Sequence, residues 1–112
     1  MLHEKLGCYR LSVELAEDLS KEGAKWPRGY GYLLDQIRRA MASVILNLAE
    51  GNARRGAAER RRFFEISRAS VAEVSACVDL MHAFRLISAD RKQALKSSLS
   101  MISRMIWGLM RG

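Results

Sequence analysis

Apolar residues recur along this chain at intervals of three and four, the period of a helix face turned toward a core. Over residues 6–22 the stripe is Leu6, Tyr9, Val13, Ala16 and Leu19, widened by Leu11 and Leu15. Glu14, Glu17, Asp18, Lys21 and Glu22 form the solvated side, and Gly23 supplies a stop. Residues 23–31 carry Pro27, Gly29 and Gly31 and read as a connector, with Trp26 expected to cover one end of the fold. A second helix is predicted from about Tyr30 to Glu50, with Leu33, Ile37, Met41, Val44 and Leu48 inward and Gly51 as its terminator. Asp35 is placed to pair with Arg38 or Arg39.

After a loop from Asn52 to Gly56, a long third helix is predicted from Ala57 to about Leu86, roughly 45 Å at 1.5 Å per residue. Its expected core face is Phe63, Ile66, Ser67, Ser70, Val71, Val74, Cys77, Val78, Met81 and Phe84. Ser88 is a cap for a fourth helix with Asp90 in its first turn. Leu95, Leu99, Ile102, Ile106 and Leu109 face inward there, and Met101, Met105, Trp107 and Met110 leave little of its end polar. Four helices with short connections predict an all-α, antiparallel up-down-up-down four-helix bundle, one domain over residues 1–112.

Composition agrees with that class. Good helix formers dominate, there is one proline, and 49% of residues are apolar, high for a small monomer. A second stripe on the third helix, Ala69, Ala72, Ala76, Leu80 and Ala83, would let a neighbour approach closely. With Trp107 it is the expected interface of a homo-oligomer; the simpler reading is that alanine merely favours exposed helix. No apolar run reaches the roughly 18 residues of a membrane span, and Met1-Leu2-His3-Glu4-Lys5 lacks a signal-peptide layout. A cytoplasmic protein with no membrane partner is the expectation. Cys8 and Cys77 are isolated, without zinc or redox spacing, and read as buried thiols.

The net charge of +7 is unevenly placed. Residues 1–51 hold seven Lys/Arg against seven Asp/Glu, whereas residues 52–112 hold twelve against five. Charge gathered in one part of a chain points to an anionic partner more strongly than a high pI does. Arg54, Arg55, Arg60, Arg61, Arg62 and Arg68 form the cluster, beside a helix start whose free N–H groups also suit phosphate. Glu59 and Glu65 are their expected partners if the face is only solvated. No aromatic residue is interleaved among them as a base-stacking platform, since Phe63 is expected to point inward.

On the second helix Gln36, Ser43, Asn47 and Glu50 fall within about a quarter of the circumference and could face Ser70 and Glu73 on the third. Such a line is either a small pocket or, the preferred reading, a hydrogen-bonded seam that sets helix register. Glu50 and Glu73 lack the Glu-x-x-His companion of a di-metal bundle, and His3 and His82 stand alone. No catalytic residues, metal site or cofactor are expected.

Asp35-Gln36-Ile37-Arg38-Arg39-Ala40, Ser43, Asn47-Leu48-Ala49-Glu50-Gly51-Asn52, Arg62-Phe63-Phe64, Ile66-Ser67-Arg68 and Ala69-Ser70-Val71-Ala72-Glu73 resemble the four-helix bundle proteins encoded in intervening sequences of large-subunit ribosomal RNA genes. The match is densest over residues 33–75. Ile45 stands where that family often has proline, and Ala69 where glycine is usual before Ser70. The resemblance implies an antiparallel bundle assembling as a ring-like homopentamer. It also implies distant kinship with the accessory protein of diversity-generating retroelements, which binds nucleic acid and partners a reverse transcriptase. The expected function is therefore a non-enzymatic bacterial homo-oligomer that binds RNA or DNA, or a nucleic-acid enzyme, through its arginines. The alternative is a protein–protein scaffold; an enzyme with a pocket at Asn47, Glu50 and Glu73 is the distant third.

Overall fold

A computed structural model describes residues 2–111 as four α-helices. They are α1 (Leu2–Glu22), α2 (Gly31–Ala53), α3 (Ala57–Ala83) and α4 (Ala89–Arg111), with one 3-10 turn at Gly23–Lys25. No strand occurs among the described residues. α1 and α3 each pack on both α2 and α4, and α2 with α3 is the most extensive pair. The core is built from Leu15, Leu19, Ile37, Val44, Leu48, Val74, Val78, Met81 and the inward stripe Leu95, Leu99, Ile102, Ile106 and Leu109 of α4. Trp26 packs against it from the connector. Ser88 Oγ accepts the Arg91 N–H at 3.0 Å and caps α4.

Three expected faces are corrected. On α1 the buried line is Cys8, Ser12, Leu15 and Leu19, while Leu6, Tyr9 and Val13 are exposed. The core side is masked in the sequence by Ser12, whose hydroxyl donates to Cys8 O at 2.9 Å and so is buried with its donor paired. On α3 the buried aromatic is Phe64, 1% exposed; Phe63 is half-buried, and Ile66 and Phe84 are exposed at 41% and 39%. Glu22, assigned to the solvated side, is buried and holds Arg91 Nε at 2.9 Å, while Asp18 holds Arg91 Nη2 at 2.8 Å. That triad braces α1 against α4.

Gly51 does not end α2. The helix runs through it to Ala53, without interruption at Ile45, and Gly51 is buried. A Cβ there would overlap the Phe64 ring, whose Cδ1 would lie 2.7 Å away. The glycine thus serves close packing of α2 on α3. Ser67 reinforces the approach, donating to Val44 O across the two helices at 2.7 Å. The local pair expected of Asp35 is also replaced: Arg38 donates to Ser20 Oγ on α1 at 2.9 and 3.1 Å, and Arg39 to Gln36 Oε1 at 2.8 Å.

α3 stops three residues sooner than expected, at Ala83. Leu86 N–H bonds Met81 O at 2.8 Å and Arg85 N–H bonds His82 O at 3.0 Å, the paired bonds of a Schellman ending. Arg85 takes φ 61°, where glycine is normally found. Arg85→Gly should raise unfolding free energy by about 0.5–1 kcal/mol, the left-handed strain relieved less the extra freedom of the unfolded glycine. Urea unfolding would show it as a higher midpoint at unchanged slope.

Candidate functional site

The six clustered arginines fall on the last residues before α3, its first turns and its middle. α2 ends in the extended residue Arg54, and Gly56 begins α3 without a side-chain cap. The first N–H groups of α3 therefore have no capping side chain. Arg54 Nη2 meets Glu50 Oε2 at 2.7 Å, one helical turn back. Its guanidinium carbon lies 5.1 Å from the centroid of Phe63, and that of Arg62 lies 5.4 Å from the same ring. Phe63 thus holds two cations against its π-face, which explains why it sits at the surface beside the arginines. Arg60 Nη1 donates to Arg55 O at 2.9 Å and staples the loop to the helix.

Arg55 and Arg61 have no side-chain partner among the described residues, and Glu59 and Glu65 form no ion pair with any of the six. Arg61, Glu65, Arg68 and Ala72 project within about 60° of one another on the outer side of α3. Arg68 is tied to α4: its Nε donates to Ser103 Oγ at 3.1 Å and its guanidinium carbon lies 5.2 Å from the Trp107 ring centroid. Beside it runs a groove of about 660 Å3 between α3 and α4, flanked by Arg68, Lys96 and Arg104 and by four serines. Lys96 Nζ bridges Asp79 Oδ1 at 2.9 Å and Ser75 Oγ at 2.7 Å. The hydrogen bond from Lys96 is the main cause that holds the Asp79 carboxyl below its ordinary pKa.

The polar stripe of α2 meets α3. Gln36 Nε2 donates to Glu73 Oε2, and Ser43 Oγ lies 2.7 Å from Ser70 Oγ. Asn47 Nδ2 donates to Ser43 O at 2.8 Å and to its Oγ at 3.2 Å. Glu50 is not part of this line, because it turns outward to Arg54. Partners on α3 fall from Glu73 through Ser70 and Ser67 to Phe64 as α2 advances from Gln36 to Gly51. Among the described residues no three His, Cys, Asp or Glu gather around a common point for a metal. Burial pushes the Cys8 thiol up to about 11, against the Ser12 hydrogen bond, and raises that of Cys77, so neither is primed as a nucleophile at neutral pH. Ala69, Ala72, Ala76, Leu80 and Ala83 are all exposed, as is Trp107 at 46%. The pairing of Arg68 with Trp107 joins two helices and has no short-range signature in the sequence.

The profile of the 23S rRNA-intervening sequence protein family matches residues 4–108. The fold is similar to the crystal structure of a protein of unknown function from the S23 ribosomal protein family of Bacteroides thetaiotaomicron VPI-5482. That likeness has a TM-score of 0.83 at 14% identity and covers 97% of this chain and 99% of the other. No curated protein matches the sequence. Among the described residues no helix is long and apolar enough to cross a membrane.

Proposed function

The chain belongs to the 23S rRNA-intervening sequence protein family, and from that premise we propose that it is a non-enzymatic homo-oligomeric bundle that binds RNA phosphates through its arginine-rich end. One observation carries this reading. Arg55 and Arg61 are unpartnered among the described residues beside the uncapped start of α3, while Arg54, Arg60 and Arg62 are held close by. Among the described residues only Arg54 of the six arginines has a carboxylate partner, Glu50, and a phosphate backbone would neutralise the remaining charge. The contacts would be to backbone and independent of sequence. The ribosomal RNA context in the family's name favours RNA over DNA.

Arg61→Glu should weaken binding of an RNA duplex about tenfold at low salt and lower the slope of log affinity against log salt by about 1 to 2. Electrophoretic mobility over a salt series measures both. No retention of RNA by the purified protein at low salt would sink the proposal.

The falling order of α3 partners along α2 supports an antiparallel up-down-up-down single domain. Self-association is supported by the apolar side chains left outside, notably Leu6, Val13, Leu46, Ile66 and Leu80. A ring of subunits would repeat the arginine end around one band, and a native mass equal to the monomer would reject it. That same exposed surface favours the second reading, a cytoplasmic scaffold whose partner is another protein, a reverse transcriptase included.

A further inference from the structure

Between α3 and α4 the surface offers more than isolated charge. The groove of about 660 Å3 lies within the size range of ligand sites, and no Asp or Glu lines it among the described residues. Its floor includes Val71 and Leu99, and its walls carry hydroxyls and the cations Arg68, Arg104 and Lys96, the last already paired with Asp79. A smaller hollow of about 340 Å3 adjoins it, sharing Arg68, Ala72 and Ser103 and carrying one carboxylate, Glu65. Arg104 has no side-chain partner among the described residues. Trp107 lines neither hollow but stands next to Arg68, 46% exposed, with the guanidinium over its ring at 5.2 Å from the centroid.

We infer that this groove binds single-stranded RNA, with a base stacked on Trp107 and the flanking phosphates on Arg68, Arg104 and the groove hydroxyls. The inference rests on the proposed arginine-end reading and deepens it. Arg61 lies two helical turns from Arg68 on the same side of α3, about 10 Å away, so a strand leaving the arginine end reaches the groove past the single carboxylate of Glu65. Single-strand binders stack bases on exposed aromatic side chains beside a cationic track for the backbone; Arg68 covers one face of this indole, and the base would take the other. A duplex keeps its base faces stacked inside and offers none to the indole. A second protein copy would need a larger apolar floor than these hydroxyls and cations provide.

The test uses the full chain and two fluorescent probes, an oligouridine of about 12 nucleotides and an RNA duplex of about the same length. Anisotropy titrations should show Trp107→Ala weakening the single strand about 5- to 150-fold, the worth of one stacked base, with duplex affinity unchanged within about twofold. Trp107→Phe should retain most single-strand affinity, and Arg61→Glu should weaken both probes. If Trp107→Ala leaves the single strand untouched, or weakens both probes equally, while Arg61→Glu still acts, the groove inference fails and the arginine-end reading stands. Binding of neither probe overturns both. A changed solution mass for Trp107→Ala makes the residue a contact between copies and overturns the inference.

Discussion

Phe64→Ala should cost about 3–5 kcal/mol of unfolding free energy, whereas Phe63→Ala, one residue earlier, should cost under about 1 kcal/mol. The difference follows from where each ring lies. Phe64 is 1% exposed and fills the space over Gly51, so truncation leaves a cavity between α2 and α3. Phe63 is half-buried and mainly props up Arg54 and Arg62. Gly51→Ala probes the same contact from the other side. Its Cβ would overlap the Phe64 ring, and overpacking of that kind costs about 1–3 kcal/mol, more than the roughly 1 kcal/mol gained in helix propensity. In the Gly51→Ala/Phe64→Ala double variant the new methyl enters the vacated space, so the pair should cost less than the sum of the singles. Additive losses in urea unfolding would refute the contact.

That contact also shows what the sequence could and could not disclose. Four helices were legible because their apolar periods are long and Pro27 and Ser88 punctuate them. Which of two adjacent aromatics turns inward was not, since a period defines a face only to within about one residue's rotation. The deciding fact was a glycine on another helix. Gly51 near a predicted helix end reads as a terminator by local rules, and only packing reveals that its missing Cβ is filled by Phe64. On α1 the apolar residues lie on two sides, and Ser12 made the buried one look polar until its hydroxyl found Cys8 O. At the candidate site the arginine cluster was visible as a local run. The Trp107 partner of Arg68 was not, because only the packing of α4 on α3 brings them together.

Arg91→Met should cost about 3 kcal/mol, an effect out of proportion to the other surface charges. Arg91 holds Asp18 at 2.8 Å and Glu22 at 2.9 Å, and the Glu22 side chain is only 8% exposed. Removing the guanidinium therefore strands a carboxylate in the α1–α4 contact. Burial works to lower the Arg91 pKa, but its hydrogen bonds to Asp18 and Glu22 raise it further, so the cation persists throughout the working pH range. The Lys96–Asp79 bridge is a useful contrast. Its distance is also 2.9 Å, yet Asp79 is half exposed, and water solvates the carboxylate when the lysine is removed. Arg91→Lys should fall between wild type and Arg91→Met, because an ammonium lacks the planar fork that reaches two carboxylates at once. Changing Glu22→Leu in the Arg91→Met background should restore most of the lost stability, since the stranded charge is then gone and two apolar side chains meet across the helices. If the double variant is as unstable as the two single losses added together, the cost lies in α1 itself and not in the buried pair.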